Sequence, residues 1–510
     1  MQSTVADRVS GSSPAYRYAV YGVALLLAGV MAVEAVNIAF YDPWGEVYFL
    51  FRLQGVLGAV EMGPLTWIMF GSLFVLLMAG LPLAFVAGGL GVVFLYLVGD
   101  SDMLNMVPSR IFPMMTNPDL AAIPLFIFMA TMLERAGLIE EMFDAVYQWM
   151  GGLRGGLAVA TIVASTILAA MVGVVGAAIV TMGIIALPAM LKRHYDEQIA
   201  LGSIMAGGAL GVLIPPSILA ILYAVVAQQS VGELYAGSVM PGLMLSGLYI
   251  AYVLLRALLN PAVGPAVPVA ERIDLAAKLK LLRGLIAPIS LVVIVLGLLF
   301  TGIATPVEAA GLGSFGAMIV AVLHRRLTLQ GLFGASLSTV KATAMVLWII
   351  FGASIFVGLY ILKGGQTFIT ETLLGTGLSP YGILLLMMVL LVILGMFLDW
   401  VGILLLAVPI FVPIIKQLTF DGLFGLPGPS PDQVLVWFGV LYLVNMQMSF
   451  LSPPFGYALF YIRGVAPASI SMATIFRSSL VFLAIQVLAL ALVVVFPAIA
   501  TWLPGLMYGK

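Results

Sequence analysis

Two pairs of adjacent prolines interrupt apolar stretches of this chain. Because proline lacks a backbone N–H, each pair leaves carbonyl oxygens without an intrahelical partner. In lipid such oxygens are costly unless protein, water or an ion binds them. Carbonyl oxygens beside a serine hydroxyl suit a small alkali cation, and nearby helix N-termini suit a carboxylate. The two segments are GVLIPPS at 211–217, with Pro215, Pro216 and Ser217, and SFLSPPFG at 449–456, with Ser452, Pro453, Pro454 and Gly456.

Asp399 is an isolated acid in a long apolar region. It follows the charge-free run 372–398, and the next charge is Lys416. An ionisable side chain at membrane depth is costly and predicts a functional role; the alternative is a helix-end aspartate at the membrane surface. Asn445 lies near the middle of the charge-free stretch 433–462. There it either orients the proline segment or joins neighbouring helices by hydrogen bonds.

The composition indicates where these residues lie. Hydrophobic residues make up 63% of the 510 residues and charged residues 8%, whereas soluble proteins carry about 25% charged residues. Charge-free stretches such as 155–191 and 198–232 exceed the roughly 20 residues of one membrane-spanning helix. Non-alternating runs such as 289–300 argue against a β-barrel. The chain is therefore predicted to be an all-α polytopic membrane protein.

The same composition excludes several classes of protein. A net charge of −1 with no basic block argues against binding to nucleic acid, and the low charge content argues against a cytosolic enzyme or a disordered chain. With no cysteine and only two histidines, thiolate, zinc and redox centres are not expected. We expect neither a transition metal nor an organic cofactor.

Basic clusters predict the orientation in the membrane. They lie at 192–194, 272–283 and 324–326, and basic residues in short loops mark the cytoplasmic side. The last two clusters must then be separated by an even number of crossings. Two helices, at about 285–303 and 306–323, satisfy that requirement.

Weak internal symmetry divides the chain into halves. Each half has a proline pair preceded by an apolar run that contains glycine and proline, and the spacings agree once a polar insert is removed. Secondary transporters built from two repeats show this pattern of paired interrupted helices. The predicted divisions are an N-terminal tail with an extra membrane helix (1–64), a first repeat (65–260), a cytoplasmic linker (261–283) and a second repeat (284–505) that contains the insert 420–432.

Over about residues 65–503 the chain resembles the large membrane subunit (DctM type) of tripartite ATP-independent periplasmic (TRAP) transporters. Six segments carry the resemblance in the family's order. They are AIPLFIFMATMLERAGL (122–138), LRGGLAVATIVAS (153–165), AGGALGVLIPPS (206–217), ATPVEAAGLG (304–313), GMFLDWVGILLLAVPIFVPI (395–414) and VNMQMSFLSPPFG (444–456).

The resemblance implies a sodium-driven importer of small organic anions in the bacterial inner membrane, and not an enzyme. Its fold would be two inverted repeats, each with a re-entrant helical hairpin and a broken helix, working as an elevator. Its partners would be a small four-helix membrane subunit and a periplasmic substrate-binding protein. The additional polar linker, insert and N-terminal helix suggest the branch that handles 2-oxo acids or related carboxylates.

The resemblance also implies sodium ligands near both proline pairs. In the second repeat they are Gly395, Asp399, Ser452 and the backbone carbonyl of Phe455. In the first repeat they are Ser217 and the hairpin tip, with Val172, Gly173 and Val174. Many relatives have Ser-Gly-Ser-Ser at this tip, where this chain has Val-Gly-Val-Val at 172–175. Because valine side chains cannot ligate a cation, the tip can offer only backbone carbonyls.

Three alternatives remain at the level of sequence. A stand-alone sodium/dicarboxylate symporter of the same fold superfamily would need no binding protein. An ion channel would need polar rings along a continuous pore, which the sequence does not show. An intramembrane enzyme would need paired acids or a nucleophile with its base, and the apolar core offers one isolated carboxylate.

Overall fold

A computed structural model describes residues 56–99, 101–173, 175–268, 271–454 and 456–509. All regular secondary structure within these ranges is helical. The extra helix predicted at 18–40 lies outside the described residues, as do Val174 and Phe455. The all-α prediction is confirmed for the described part of the chain.

The α-helices are numbered in chain order. They are α1 (Met62–Met78), α2 (Leu83–Val98), α3 (Met106–Met115), α4 (Ala122–Arg135), α5 (Leu138–Met150), α6 (Gly156–Val172), α7 (Val175–Lys192), α8 (Glu197–Ala209), α9 (Ile218–Ala227), α10 (Val231–Leu259), α11 (Leu275–Phe300), α12 (Pro306–Leu323), α13 (Leu329–Leu362), α14 (Gly365–Leu374), α15 (Pro380–Gly395), α16 (Trp400–Ile415), α17 (Val434–Leu451), α18 (Tyr457–Val465), α19 (Met472–Val495) and α20 (Ala498–Tyr508).

Several of these helices are long and apolar enough to cross a bilayer. Among the described residues there are seven, or eight if the bent pair Met103–Met115 and Pro118–Arg135 forms one span. The shorter apolar helices α6, α9, α15 and α16 have 10–17 residues, fewer than the roughly 20 that a single span needs. These four helices adjoin the two interrupted regions that the sequence predicts.

The two helices expected between the second and third basic clusters are present as α11 and α12. However, α11 begins at Leu275, ten residues before the expected start near 285. Asp274 caps it by accepting a hydrogen bond from the backbone N–H of Ala277 at 3.1 Å, and the following residues are good helix formers. At the start of α12, Thr305 and Glu308 form a reciprocal capping box.

By internal contacts the chain divides into two compact units. Among the described residues, the first contains 56–99 and 101–115 together with Leu347–Leu373. In it, α2 packs closely on the second half of α13, where the backbones meet at Gly88 and Gly352. Tyr360 of α13 packs edge-on against Phe70 of α1, with ring centroids 5.1 Å apart.

The second unit comprises Thr116–Val346 and Leu374–Lys510. The residues of α17 are nearly all buried, and this helix packs against α9, α10, α15, α16, α18 and α19. α6, α7 and α8 pack against one another, and α7 also contacts α18. The helices around both proline pairs therefore belong to one packed unit.

The polar linker passes beside the start of α6 and the end of α7. The Gly155 N–H donates to the Gly264 carbonyl at 2.7 Å, beside the start of α6. The Asp196 N–H donates to the Val263 carbonyl at 3.0 Å, beyond the end of α7. Gly264 also lies so close to Gly155 that an added Cβ would be 2.9 Å from the Gly155 Cα. The linker therefore holds both ends of this helix pair.

Candidate ion and substrate site

In the first half, the hairpin tip contacts the proline break. Gly173 caps the C-terminus of α6, and its φ of +58° lies in the left-handed region that glycine adopts readily. A Cβ added to Gly173 would lie 2.9 Å from the Pro216 carbonyl oxygen. The side chain of Val172 and all of Val174 are outside the described residues. The structure thus brings Gly173 together with the Pro215–Pro216 segment, and the role in ion binding that the family resemblance implies for them stays a prediction.

Ser217 is fully buried directly after this proline pair. Its Oγ donates to the Val212 carbonyl at 2.6 Å and accepts from the Ala220 N–H at 3.3 Å, so that it caps α9. Its own carbonyl accepts from the Tyr235 hydroxyl at 3.1 Å. A hydroxyl oxygen has two acceptor lone pairs, and one remains beyond the cap.

In the second half, α15 ends at Gly395 and α16 is capped by Asp399. The Asp399 carboxylate accepts a hydrogen bond from the Val401 N–H at 3.2 Å. Gly395 lies directly against Ser449 of α17, so that an added Cβ would overlap the Ser449 side chain. The turn 396–399 is therefore held close to α17, one helical turn before the second proline pair.

The second break follows the end of α17. Ser452 is buried, and its Oγ donates to the Met448 carbonyl at 2.7 Å. Its carbonyl accepts from the Gly456 N–H at 2.9 Å, across the turn that contains Pro453 and Pro454. The peptide bonds Pro215–Pro216 and Pro453–Pro454 are both cis. Gly456 then caps α18, whose N-terminus borders the break.

Asn445 joins two of these elements. Its side-chain amide donates to the Met388 carbonyl of α15 at 2.9 Å, while its Oδ1 has no hydrogen-bond partner among the described residues. The residue is fully buried. Its hydrogen bond therefore links α17 to α15, the helix that precedes the turn with Asp399.

Sequence reasoning missed three hydroxyl-bearing residues near this site, Tyr223, Tyr442 and Ser449. Tyr442, Asn445 and Ser449 are spaced three to four residues apart and share one face of α17, and Ser452, its C-cap, continues the spacing. The hydroxyls of Tyr442 and Ser449 are buried and have no partner among the described residues, and the same holds for the hydroxyl of Tyr223 on α9. The rings of Tyr223 and Tyr442 lie 5.4 Å apart. A polar stripe at helical spacing in an apolar helix was the available signal.

The two halves meet in two places. α16, which Asp399 caps, packs against α9, which follows the first proline pair. A Cβ added to Gly176, near the start of α7, would lie 2.8 Å from the Tyr461 ring. α18, which follows the second proline pair, thus contacts the first-half hairpin. The site offers carbonyl and hydroxyl oxygens with one carboxylate, and these hard donors suit an alkali cation.

The chain matches the family model of the DctM component of the tripartite ATP-independent periplasmic transporter over residues 70–499. It is 30% identical over 455 residues to the C4-dicarboxylate TRAP transporter large permease protein DctM of Rhodobacter capsulatus, covering 86% of this chain and 99% of that protein. It is also 30% identical over 447 residues to the sialic acid TRAP transporter large permease protein SiaM of Vibrio cholerae, covering 86% of this chain and 99% of that protein.

Among solved structures, the chain resembles the efflux pump MtrF of Neisseria gonorrhoeae. The TM-score is 0.56 and the sequence identity 11%, with 90% of this chain and 98% of that chain covered. At this level of identity the similarity concerns the fold alone.

Proposed function

Because the chain belongs to the family of the DctM component of tripartite ATP-independent periplasmic transporters, we propose that it is the large permease subunit of a sodium-coupled importer of organic anions. The observation that carries the proposal is the packing of both interrupted regions in one all-helical unit, where α16, which Asp399 caps, contacts α9. The relatives are named as permeases, and no enzymatic activity is part of the proposal.

The proposed sodium sites lie at the two interrupted segments that contain the proline pairs. In the second half the ligands are Asp399, Ser452 and the carbonyls of Gly395 and Phe455. In the first half they are Ser217 and the carbonyls of Val172, Gly173 and Val174. The contact of Gly173 with the Pro216 carbonyl and the contact of Gly395 with Ser449 support these groupings.

The proposed substrate is a carboxylate that binds between the two ion sites. The N-termini of α9 and α18 carry the positive ends of helix dipoles, which favour a carboxylate. Relatives named for C4-dicarboxylates and for sialic acid transport organic acids, and 2-oxo acids are a further class to be tested. Pro215, Pro216, Pro453, Pro454 and Gly456 shape this region, and Asn445 positions it through its bond to α15.

The proposed mechanism is an elevator movement of two inverted repeats, 65–260 and 284–505, around the linker 261–283. Bound sodium would neutralise Asp399 and organise the two breaks before the anion enters. The proposed partners are a small membrane subunit, which the designation of the relatives as large permease proteins supports, and a periplasmic binding protein. The proposed location is the bacterial inner membrane.

Binding-protein dependence separates this proposal from a stand-alone symporter. In assays with a sodium gradient, proteoliposomes with both membrane subunits should accumulate radiolabelled succinate or pyruvate only when the cognate binding protein is present. Proteoliposomes that contain the large subunit alone should show no uptake of the free acids. Uptake by the large subunit alone, without the binding protein, would show that the stand-alone alternative is right.

A further inference from the structure

The two helices that begin at the proposed ion sites pack against each other. α7 begins at Val175, directly after the hairpin tip of the first half. α18 begins at Tyr457, with Gly456 as its N-cap, just beyond the second proline pair. The two helices are in contact within one packed unit. Each of them therefore joins its partner to an interrupted region of the other half.

Two glycines of α7 leave the space into which α18 fits. A Cβ added to Gly176 would lie 2.8 Å from the Tyr461 ring, and one added to Gly183 would lie 2.5 Å from the Cγ2 of Val465. The glycines are seven residues apart, about two helical turns, and share one face of α7. A side chain at either position would have to displace α18.

These contacts also show the relative direction of the two helices. The earlier glycine of α7 meets the earlier residue of α18, and the later glycine meets the later residue. The helices therefore run in the same direction, and their N-termini lie at the same end of the pair. The hairpin tip before α7 and the second break before α18 are thus neighbours, held at a spacing that the glycine contacts set.

α7 is also packed against the helix that precedes the first break. Between the two glycines, the Ile179 side chain lies directly against Gly208 of α8, where an added Cβ would overlap it. α8 ends at Ala209, shortly before the first proline pair. A displacement of α18 would therefore reach both the tip and the first break through α7.

The composition of the tip makes this packing important for ion binding. With valine at 172, 174 and 175, the tip can offer a cation only its backbone carbonyls. The position of a carbonyl oxygen is fixed by the backbone, so that the affinity of such a site depends on how the adjoining helices hold it. A second ligand that orders those helices raises the affinity, and the coupling between the two ligands is reciprocal.

We propose that the α7–α18 contact couples the two sodium sites, so that an ion bound at the second break positions the first-half tip for its own ion. This inference rests on the proposed function and adds to it a pair of positioning residues, Gly183 and Val465. Each lies eight residues beyond the start of its helix. A substitution at either position reaches the ions only through the two helices.

The test is equilibrium binding of radiolabelled sodium to the complex of both membrane subunits in lipid nanodiscs, with choline keeping the ionic strength constant. The wild-type Hill coefficient should be about 1.5–2, since two coupled sites have an upper limit of 2. Gly183→Ala should lower it to about 1, the value for uncoupled sites, without changing the number of ions bound at saturation. Adding Val465→Ala removes Cγ2 and leaves Cβ at 3.6 Å from the new methyl group. The double variant should therefore recover the wild-type Hill coefficient.

Gly464→Ala is the matched control, because an added Cβ there meets no atom within 4 Å; it should bind sodium as the wild type does. Val465→Ala alone loosens the same contact and should also lower the Hill coefficient, which keeps the test available if Gly183→Ala does not fold. An unchanged Hill coefficient in either single variant, or a loss that the double variant does not reverse, would overturn the proposal. A wild-type Hill coefficient of 1 would overturn the coupling but not the proposed function, whereas a wild type that binds no sodium would contradict both.

Discussion

Asp399→Asn is expected to lower sodium-dependent uptake by about 100-fold or more. Asparagine caps helices as well as aspartate does, so that the bond from the Val401 N–H is kept and only the charge is lost. Removing one partner of a charged pair in a protein interior costs roughly 3 kcal/mol, and about 1.4 kcal/mol corresponds to a factor of ten in affinity. The loss should therefore appear in sodium dependence and not in folding.

The measurement is uptake by proteoliposomes with both membrane subunits and the loaded binding protein, at varied sodium concentrations. Asp274→Asn is the matched control, because Asp274 also caps a helix but lies at the exposed start of α11. It should retain wild-type uptake. Sodium dependence that is unchanged in Asp399→Asn would show that this carboxylate does not bind the coupling ion.

Gly395→Ala is expected to raise the sodium concentration for half-maximal uptake about tenfold. The added methyl group overlaps Ser449, so that the end of α15 must move away from α17. Overpacking of this kind typically costs about 1–3 kcal/mol, and the movement displaces the turn that carries Asp399. Gly247→Ala, where an added Cβ meets no atom within 4 Å, is the control for a glycine substitution in an exposed helix position.

A second substitution tests the cause of this effect. Ser449→Gly removes the overlapping atoms and leaves the Ser449 Cα position 3.2 Å from the added Cβ. The Ser449 hydroxyl has no hydrogen-bond partner among the described residues, so that its loss breaks no bond within them. The double variant should recover most of the sodium affinity lost in Gly395→Ala. No recovery would mean that the α15–α17 contact does not place the ion site.

The interrupted helices were predictable because their cause is local. A proline removes its own N–H wherever it lies, so that the breaks at Pro215 and Pro453 could be recognised from a few consecutive residues. The turn between α11 and α12 was predictable for the same reason. The early start of α11 was missed because the basic residues near 278 were interpreted as linker, although Asp274 is a good helix cap.

The contacts that assemble the site could not be obtained in this way. The approach of Gly395 to Ser449 joins helices more than 50 residues apart in sequence, and nothing local indicates which small residues face each other. The pairing of Tyr223 with Tyr442 is of the same kind. Arg135 lies inside a segment used to recognise the family, but its guanidinium contacts Gly334 and Ser338 of α13, about 200 residues further along the chain.

Sodium coupling is tested most directly by simultaneous measurement of radiolabelled sodium and succinate or pyruvate influx. Proteoliposomes with the two membrane subunits and the cognate binding protein are given an inward sodium gradient. We expect the acid to accumulate against its own gradient with a fixed ratio of sodium to acid, and potassium to be unable to replace sodium. Equal accumulation with potassium, or sodium influx that does not depend on the acid, would contradict sodium coupling by this protein.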